Sequence, residues 1–421
     1  MPTATPVPRG PSLLALGSAA ELLTRPGCPV CRYTAEAADR YLGWFAAEAH
    51  ADPVTITRLC ASLGTCAGHT RALMSQPGAA GRLTAVYRYV LEAAQAKLAG
   101  RVARLPGCPA CEHDQAAAWR ALDMLLEGLA DPAIRERYRA VGGLCVPHAR
   151  AGARTRGHRH ALAWMIQASS AGLRRGPPGL DVLAGGPDHD AARRAELWAA
   201  LPPAGRVPPG ACLVCLAVAR SQREALVRAV VLGGGHQRTH TGDEEPGGGR
   251  CLCAGHLRDA ALTDRYRAQA LLAWQARCQA AALSRPAARR RGGHLTRLLR
   301  GAPSRSRDAD SCPACWAGKQ GTRQELGRCG AVFREPLVVG DGPPALCVRH
   351  VLALRAADPG AGRVAAEFAA RRGRVLLDEL AEAFRKSTWQ YRDEMPGQEV
   401  AAWRRAAGFL DGGVFGGCPP G

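Results

Sequence analysis

Four times along this chain a Cys-x2-Cys step is followed by a Cys-x2-His step, and any fold it adopts has to bring those sixteen side chains to useful positions. The copies are Cys28 and Cys31 with Cys66 and His69, Cys108 and Cys111 with Cys145 and His148, Cys212 and Cys215 with Cys253 and His256, and Cys312 and Cys315 with Cys347 and His350. Within a copy, 34, 33, 37 and 31 residues separate the two steps; from the His of one copy to the first Cys of the next the intervals are 38, 63 and 55. The even spacing lies within copies, so each copy is expected to close its own site.

A Cys-x2-Cys step places two thiolates suitably for one tetrahedral ion, and a Cys-x2-His step adds a third thiolate and an imidazole. Three sulfurs and one nitrogen suit zinc, and a filled set of four leaves no open position for a substrate or an activated water. The expectation is structural Zn2+, up to four ions per chain. Buried or redox cysteines unrelated to the histidines would have to reproduce the same order four times.

At 421 residues the chain is long enough for two or three domains or for one array of repeats. Seventeen cysteines in a secreted protein would suggest disulfides; in this arrangement they read as metal ligands in a reducing compartment, which places the chain in the cytoplasm. Residues 1–23 hold one arginine and a short Leu13-Leu14-Ala15-Leu16 run, too weak for a signal peptide. No apolar run reaches membrane-spanning length.

The formal charge of +20 points to an acidic partner, nucleic acid or protein. Two considerations reduce its weight. Only three of the 56 basic residues are lysines, a bias in keeping with GC-rich coding, and a zinc ion held by three thiolates carries about one net negative charge. Residues 285–307 are the most basic segment, with eight arginines and no acid. Arg285, Arg289, Arg290, Arg291, Arg297 and Arg300 are the candidate phosphate contacts there; a solvated linker with biased codons is the plain alternative.

The expected fold is all-α. Residues 32–50 carry Tyr41, Leu42, Trp44 and Phe45 as an apolar face, and residues 112–130 carry Trp119, Leu122, Met124, Leu125 and Leu129. Asp52-Pro53 and Asp131-Pro132 then mark a capping residue followed by proline at the first helical position. Pro53 precedes Cys66 by the same interval as Pro132 precedes Cys145, so the duplication extends beyond the cysteines. The pattern predicts an array of zinc-stapled helical hairpins, each clamped at its open end to a third helical segment, over residues 82–103, 158–173, 256–283 and 362–386. Ala331-Val332-Phe333 and Leu337-Val338-Val339 suggest a minor β hairpin in the last copy.

The expected organisation is a loose leader over residues 1–19, an N-terminal half over 20–173 with copies one and two, a Gly- and Pro-rich linker over 174–194, copy three over 195–284, a basic linker over 285–308, and copy four with C-terminal helices over 309–415. Copy three contains His236-Gln237-Arg238-Thr239-His240-Thr241-Gly242, similar to the end of a DNA-binding C2H2 finger. Twenty residues separate Cys215 from His236 where such a finger has about 12, so Cys253 and His256 are the better ligands than His236 and His240. In the tail, the aromatics Trp389, Tyr391 and Trp403 beside arginines read as core residues, with base stacking as the alternative.

The serial Cys-Pro-x-Cys, helix, Asp-Pro, Gly-Leu-Cys-x-x-His arrangement, seen at Cys108 to Cys111 and at Gly143-Leu144-Cys145-Val146-Pro147-His148, resembles a family of uncharacterised bacterial proteins with repeated cysteine pairs. The tail, from Phe384-Arg385-Lys386 through Tyr391-Arg392-Asp393-Glu394 to Trp403-Arg404-Arg405, is similar to that family's C-terminal segment. The likeness runs from Cys28 to about Leu410. It implies the helical repeat architecture and carries no established activity.

Closed ligand sets, with no phosphate loop, nucleophile elbow or H-E-x-x-H motif, favour a non-enzymatic zinc-binding scaffold in a regulatory or adaptor role. The rival class is thiol chemistry, either a redox or metal sensor or a thiol-disulfide oxidoreductase, because Cys-Pro-x-Cys at a helix start also lowers a thiol pKa. The β-branched runs of a thioredoxin-like βαβ unit are missing. A zinc hydrolase using Glu112 and His113 is a third reading. Cys60, Cys251, Cys278, Cys329 and Cys418 have no ligand spacing and read as core fillers.

Overall fold

The computed structural model describes residues 12–100, 105–152, 158–174, 180–185, 201–202, 206–208, 210–233, 252–263, 271–273, 275–276, 312–335, 344–391 and 393–412. Among these the protein is all-helical and contains no strand. The basic segment 285–307, the His236 to His240 stretch, Leu337 to Val339 and Cys251, Cys278 and Cys418 lie outside the described residues.

The helices in chain order are α1 (Leu13–Leu22), α2 (Pro29–Ala47), α3 (Pro53–Ser62), α4 (Ala67–Met74), α5 (Ala79–Ala99), α6 (Pro109–Gly128), α7 (Pro132–Ala140), α8 (Val146–Gly152), α9 (Arg159–Arg174), α10 (Leu180–Ala184), α11 (Leu213–Gly233), α12 (Ala254–Thr263), α13 (Pro313–Arg334), α14 (Val348–Ala357), α15 (Pro359–Lys386) and α16 (Ala402–Asp411). Ala331 to Phe333, read above as a strand, are in the last turns of α13. The buried residues there are Cys329, Gly330 and Phe333, the i, i+1, i+4 spacing of a helix face.

The Asp-Pro signals start helices as expected. The Asp52 carboxylate accepts from the Thr55 N–H at 2.8 Å and Asp131 accepts from Ala133 at 2.7 Å and Ile134 at 3.3 Å, satisfying donors that the first turn leaves free. Asp358-Pro359 repeats the device at α15, where Asp358 accepts from Ala361 at 3.1 Å and pairs with Arg334. The apolar faces are narrower than their aromatics suggest. Leu42 and Phe45 are buried while Trp44 is exposed, and Leu122, Leu125 and Leu129 are buried while Trp119 is exposed; at 100° per residue, Trp44 stands about 200° around the helix from Leu42.

The chain divides into two compact units, each assembled from three stretches: Met1–Ala37, Asp114–Asp188 and Val227–Cys312 in the first, and Ala38–His113, His189–Leu226 and Pro313–Gly421 in the second. In the first unit Leu122, Leu125, Leu126, Leu129, Tyr138 and Met165 are fully buried. In the second, one core joins α5, α14, α15 and α16, with Val90, Leu91, Leu354, Leu380, Trp403 and Phe409 at its centre. The face of α15 there is largely Ala361, Ala365, Ala366 and Ala369, small side chains that let helices approach closely. Polar contacts fix the same packing: Gln95 Nε2 donates to the Ala370 carbonyl at 2.9 Å, and Arg355 donates to Leu98 at 2.6 Å, near the end of α5.

Of the tail aromatics, Trp403 belongs to this core, and Trp389 is exposed. Tyr391 lies under the Arg385 guanidinium, 4.4 Å from the ring centre. Cys329 is buried in the core and Cys60 packs against it, the filler role expected of them. Buried Glu399 accepts from the Gly397 N–H at 2.7 Å and from Lys386 at 3.1 Å, and these donors, the backbone first, hold its carboxyl down at about 2. A depressed carboxylate pKa stabilises the fold above the unfolded value of about 4.3 and loses that contribution as pH falls through the folded value. Across that window Glu399→Gln is therefore expected to flatten the acid limb of the melting temperature against pH; an unchanged limb would remove Glu399 from the acid response.

Candidate metal centres

The sixteen Cys and His residues form four groups, and their pairing is not the one that even spacing suggests. Site one contains Cys28 and Cys31 of copy one with Cys145 and His148 of copy two. Site two contains Cys66 and His69 of copy one with Cys108 and Cys111 of copy two. Copies three and four exchange steps in the same way, giving site three (Cys212, Cys215, Cys347, His350) and site four (Cys253, His256, Cys312, Cys315). Site one lies in the first unit and sites two and three in the second. At site four the first unit brings Cys253, His256 and Cys312 together, and Cys315 follows in the opening turn of α13.

Helix length explains why copies one and two do not close on themselves. At 1.5 Å per residue, the 19 residues of α2 run about 28 Å and the 10 of α3 return about 15 Å. A direct return therefore leaves Cys66 about 13 Å short of Cys28. Copy two has the same mismatch, with 20 residues in α6 and 9 in α7. Two copies that exchange their Cys-x2-His steps both reach a complete set.

Within each site the donor atoms lie no more than 4.8 Å from one another. The imidazole presents Nδ1 to the sulfurs, at 3.1 to 3.5 Å in site one, 3.2 to 3.7 Å in site two, 3.1 to 3.4 Å in site three and 3.2 to 3.5 Å in site four. Sulfur pairs stand 3.6 Å apart at Cys31–Cys145 and Cys66–Cys111 and 4.0 Å apart at Cys215–Cys347. With metal–sulfur bonds of about 2.3 Å and metal–nitrogen bonds of about 2.0 to 2.1 Å, a tetrahedron has S···N edges of about 3.6 Å and S···S edges of about 3.8 Å. Each group can hold a metal ion with all four ligands supplied by the protein.

The charge state leads to the same chemistry. In site one the neighbouring thiols Cys145 and Cys28 hold Cys31 far below the usual thiol range, whereas burial drives Cys145 well above it. Cys108 and Cys111 divide in the same sense in site two, Cys108 downward and Cys111 upward, each through hydrogen bonding to the other first. Burial disfavours a charged imidazole at His148 and His256, yet the surrounding sulfurs prevail and push both up to about 10. Sulfurs this close cannot all ionise without a cation among them, and a divalent ion meets that requirement.

Neighbouring groups hold the ligand loops in place. The Tyr138 hydroxyl accepts from the Leu144 N–H at 3.0 Å, immediately before Cys145. Gln275 brackets Leu252, before Cys253, accepting from its N–H at 3.3 Å and donating to its carbonyl at 2.7 Å. Thr65, before Cys66, bonds Thr70 hydroxyl to hydroxyl at 2.8 Å. Backbone bonds join the two loops of a site, from Gly27 N–H to Val141 at 2.8 Å in site one and from Leu213 N–H to Ala345 at 3.1 Å in site three. Arg32, following Cys31, donates to the carbonyls of Leu22, Pro26 and Gly27.

Two glycines cover sulfurs, and sequence reasoning missed both. Gly185 follows α10 at φ +93°, and a Cβ there would stand 3.3 Å from Cys31 Sγ and 3.5 Å from Cys145 Sγ. Gly412 follows α16 at φ +74°, and a Cβ there would collide with Cys215 Sγ. Both use the left-handed residue that ends a helix to lay bare backbone on a thiolate. The available signal was a glycine following a short apolar segment; in Gly185-Gly186-Pro187 it read as a linker.

No protein-family model matches this chain, and no curated protein or solved structure matches it. Among the described residues no helix is long and apolar enough to cross a membrane. Glu112 pairs with Arg58 at 2.7 Å and His113 stacks on Tyr41 at 4.5 Å, and neither belongs to a ligand group.

Crossed pairing makes a stoichiometric prediction. The double variant C28S/C145S is expected to lose one ion per chain by elemental mass spectrometry, and C28S/C66S to lose two; the reverse result would restore self-closing copies. Tyr138→Phe strands the buried Leu144 N–H and is expected to cost about 1–3 kcal/mol of stability, seen as a lower denaturation midpoint with metal content unchanged at saturating metal. A midpoint equal to the wild type's would show that the hydroxyl does not hold the loop.

Proposed function

We propose that this protein is a zinc-binding helical scaffold in which four Zn2+ ions join the helical hairpins crosswise, two ions for each pair of copies. The observation that carries this reading is the completeness of the four Cys3His groups. Three thiolates and an imidazole suit zinc, and a set already closed by protein ligands serves structure before catalysis. The ion then contributes folding free energy, because the ligands are far apart in the unfolded chain.

Its role in this reading is regulatory or adaptor-like, with an acidic macromolecule as partner. The support is the formal charge of +20, and the segment proposed to make the contact is the one holding Arg285, Arg289, Arg290, Arg291, Arg297 and Arg300. Nucleic acid is the first partner to test, since arginine-rich segments displace counterions from phosphates and their binding weakens steeply with salt.

Protein purified without added metal is expected to hold near four zinc ions per chain by elemental mass spectrometry and to melt at a markedly lower temperature after chelation. A chain with disulfides in place of metal would overturn the scaffold reading. Deleting residues 285–307 is expected to weaken nucleic-acid binding and to reduce the salt slope by roughly 0.7 to 0.9 per lost phosphate contact; unchanged affinity and slope would make the segment a linker.

A further inference from the structure

The four centres differ in how far their sulfurs are withdrawn from solvent. In site three all three cysteines are buried, and in site four His256, Cys312 and Cys315 are buried. Site one has two half-buried thiols, but Cys145, 3.6 Å from Cys31 sulfur to sulfur, is 1 % exposed, and Gly185 lies over both Cys31 and Cys145. None of the four ligands of site two is buried, and Cys111, at the boundary between half-buried and exposed, is the most open of its three thiols. Its Sγ stands 3.6 Å from that of Cys66.

Those two thiols come from two different helix starts. Cys66 is the residue that opens α4, and Cys111 is in the first turn of α6. The chain on the α6 side is held by the Arg58–Glu112 ion pair and the Tyr41–His113 stack. A disulfide needs its sulfurs about 2.05 Å apart, so the pair has only about 1.5 Å to close once the ion no longer separates it. The corresponding pairs Cys31–Cys145 and Cys215–Cys347 have similar separations but lack this access.

We propose that Cys66 and Cys111 are a peroxide-sensitive pair, and that their oxidation to a disulfide empties site two while the other three centres keep their ions. This rests on the metal reading above. One thiolate attacks an oxygen of hydrogen peroxide, breaking the O–O bond to give a sulfenic acid and hydroxide. The second thiolate attacks that sulfur and expels hydroxide, so that two thiolates are oxidised by two electrons and one peroxide is reduced. The ion loses two of its four ligands and leaves. Site two is then a redox-labile position within an otherwise inert scaffold.

The test is to add hydrogen peroxide in graded amounts to the zinc-loaded full chain, follow released zinc with a chromophoric chelator, and map disulfides by differential alkylation and mass spectrometry. One ion per chain is expected to leave at least about tenfold faster than the others, as reactivity follows thiolate exposure, with Cys66–Cys111 the first disulfide. C145S, which removes site one, keeps the fast phase; C111S abolishes it. Release of all ions in a single phase, or a first disulfide at Cys31–Cys145 or Cys215–Cys347, overturns the inference and leaves the metal reading standing. An untreated chain with no metal overturns both. The wild-type mapping decides between these outcomes even if C111S fails to fold.

Discussion

A tetrahedral ion demands that its four ligand atoms lie within about 4 Å of one another, and a helix of fixed rise cannot be compressed to oblige it. The rest of this structure depends on that conflict. In copies one and two the first helix is about twice as long as the helix that returns from it, so the two halves of one copy end far apart. Exchange between copies resolves the mismatch, and the paired copies become obligate partners. The exchange costs little. His69 and Cys108 of site two are 39 positions apart along the chain, close to the interval within a copy, whereas Cys31 and Cys145 of site one are 114 positions apart. Lengthening a closure about threefold costs about 1 kcal/mol of chain entropy, small beside the ~10–16 kcal/mol of a structural zinc ion.

Around three of the four ligand groups the protein applies a common device with different parts. The residue preceding the third cysteine is held before the cysteine is presented, by the Tyr138 hydroxyl at Leu144, the Gln275 carboxamide at Leu252 and the Thr65–Thr70 pair before Cys66. Such contacts orient a ligand and raise the affinity of its site. Burial of polar atoms in this setting is tolerated because each has a partner, and it makes every partner costly to remove.

Arginines join neighbouring features within a unit. In the first unit Arg258, two residues after His256, donates to the Ala184 carbonyl at 2.6 Å, next to the glycine that covers site one. In the second, Arg349, next to His350, donates to Ser62 at 2.9 Å, on the helix leading to Cys66. Arg372 is beside site three, where burial lowers its pKa and the charges of Cys212 and Cys347 oppose the fall. Three thiolates around one divalent ion leave a net negative charge, and guanidinium groups placed this way offset it without entering the ligand set.

The sequence by itself determined the helices of the first two copies and which Cys and His residues recur at ligand spacing. Capping by Asp52 and Asp131 is a local hydrogen bond, and the i, i+3, i+4 burial of α6 is a local periodicity, so neither depends on distant parts of the chain. Cys-x2-Cys and Cys-x2-His are likewise short-range geometry. The length mismatch was also legible, since the Asp-Pro step falls past the middle of the first two hairpins, but spacing within copies outweighed it. Only the tertiary structure decided which Cys-x2-His completes which Cys-x2-Cys, that Ala331 to Phe333 extend a helix, and that Gly185 and Gly412 cover sulfurs. Those outcomes depend on where helix ends arrive in space and on what packs over them, and the period of a sequence carries no record of either.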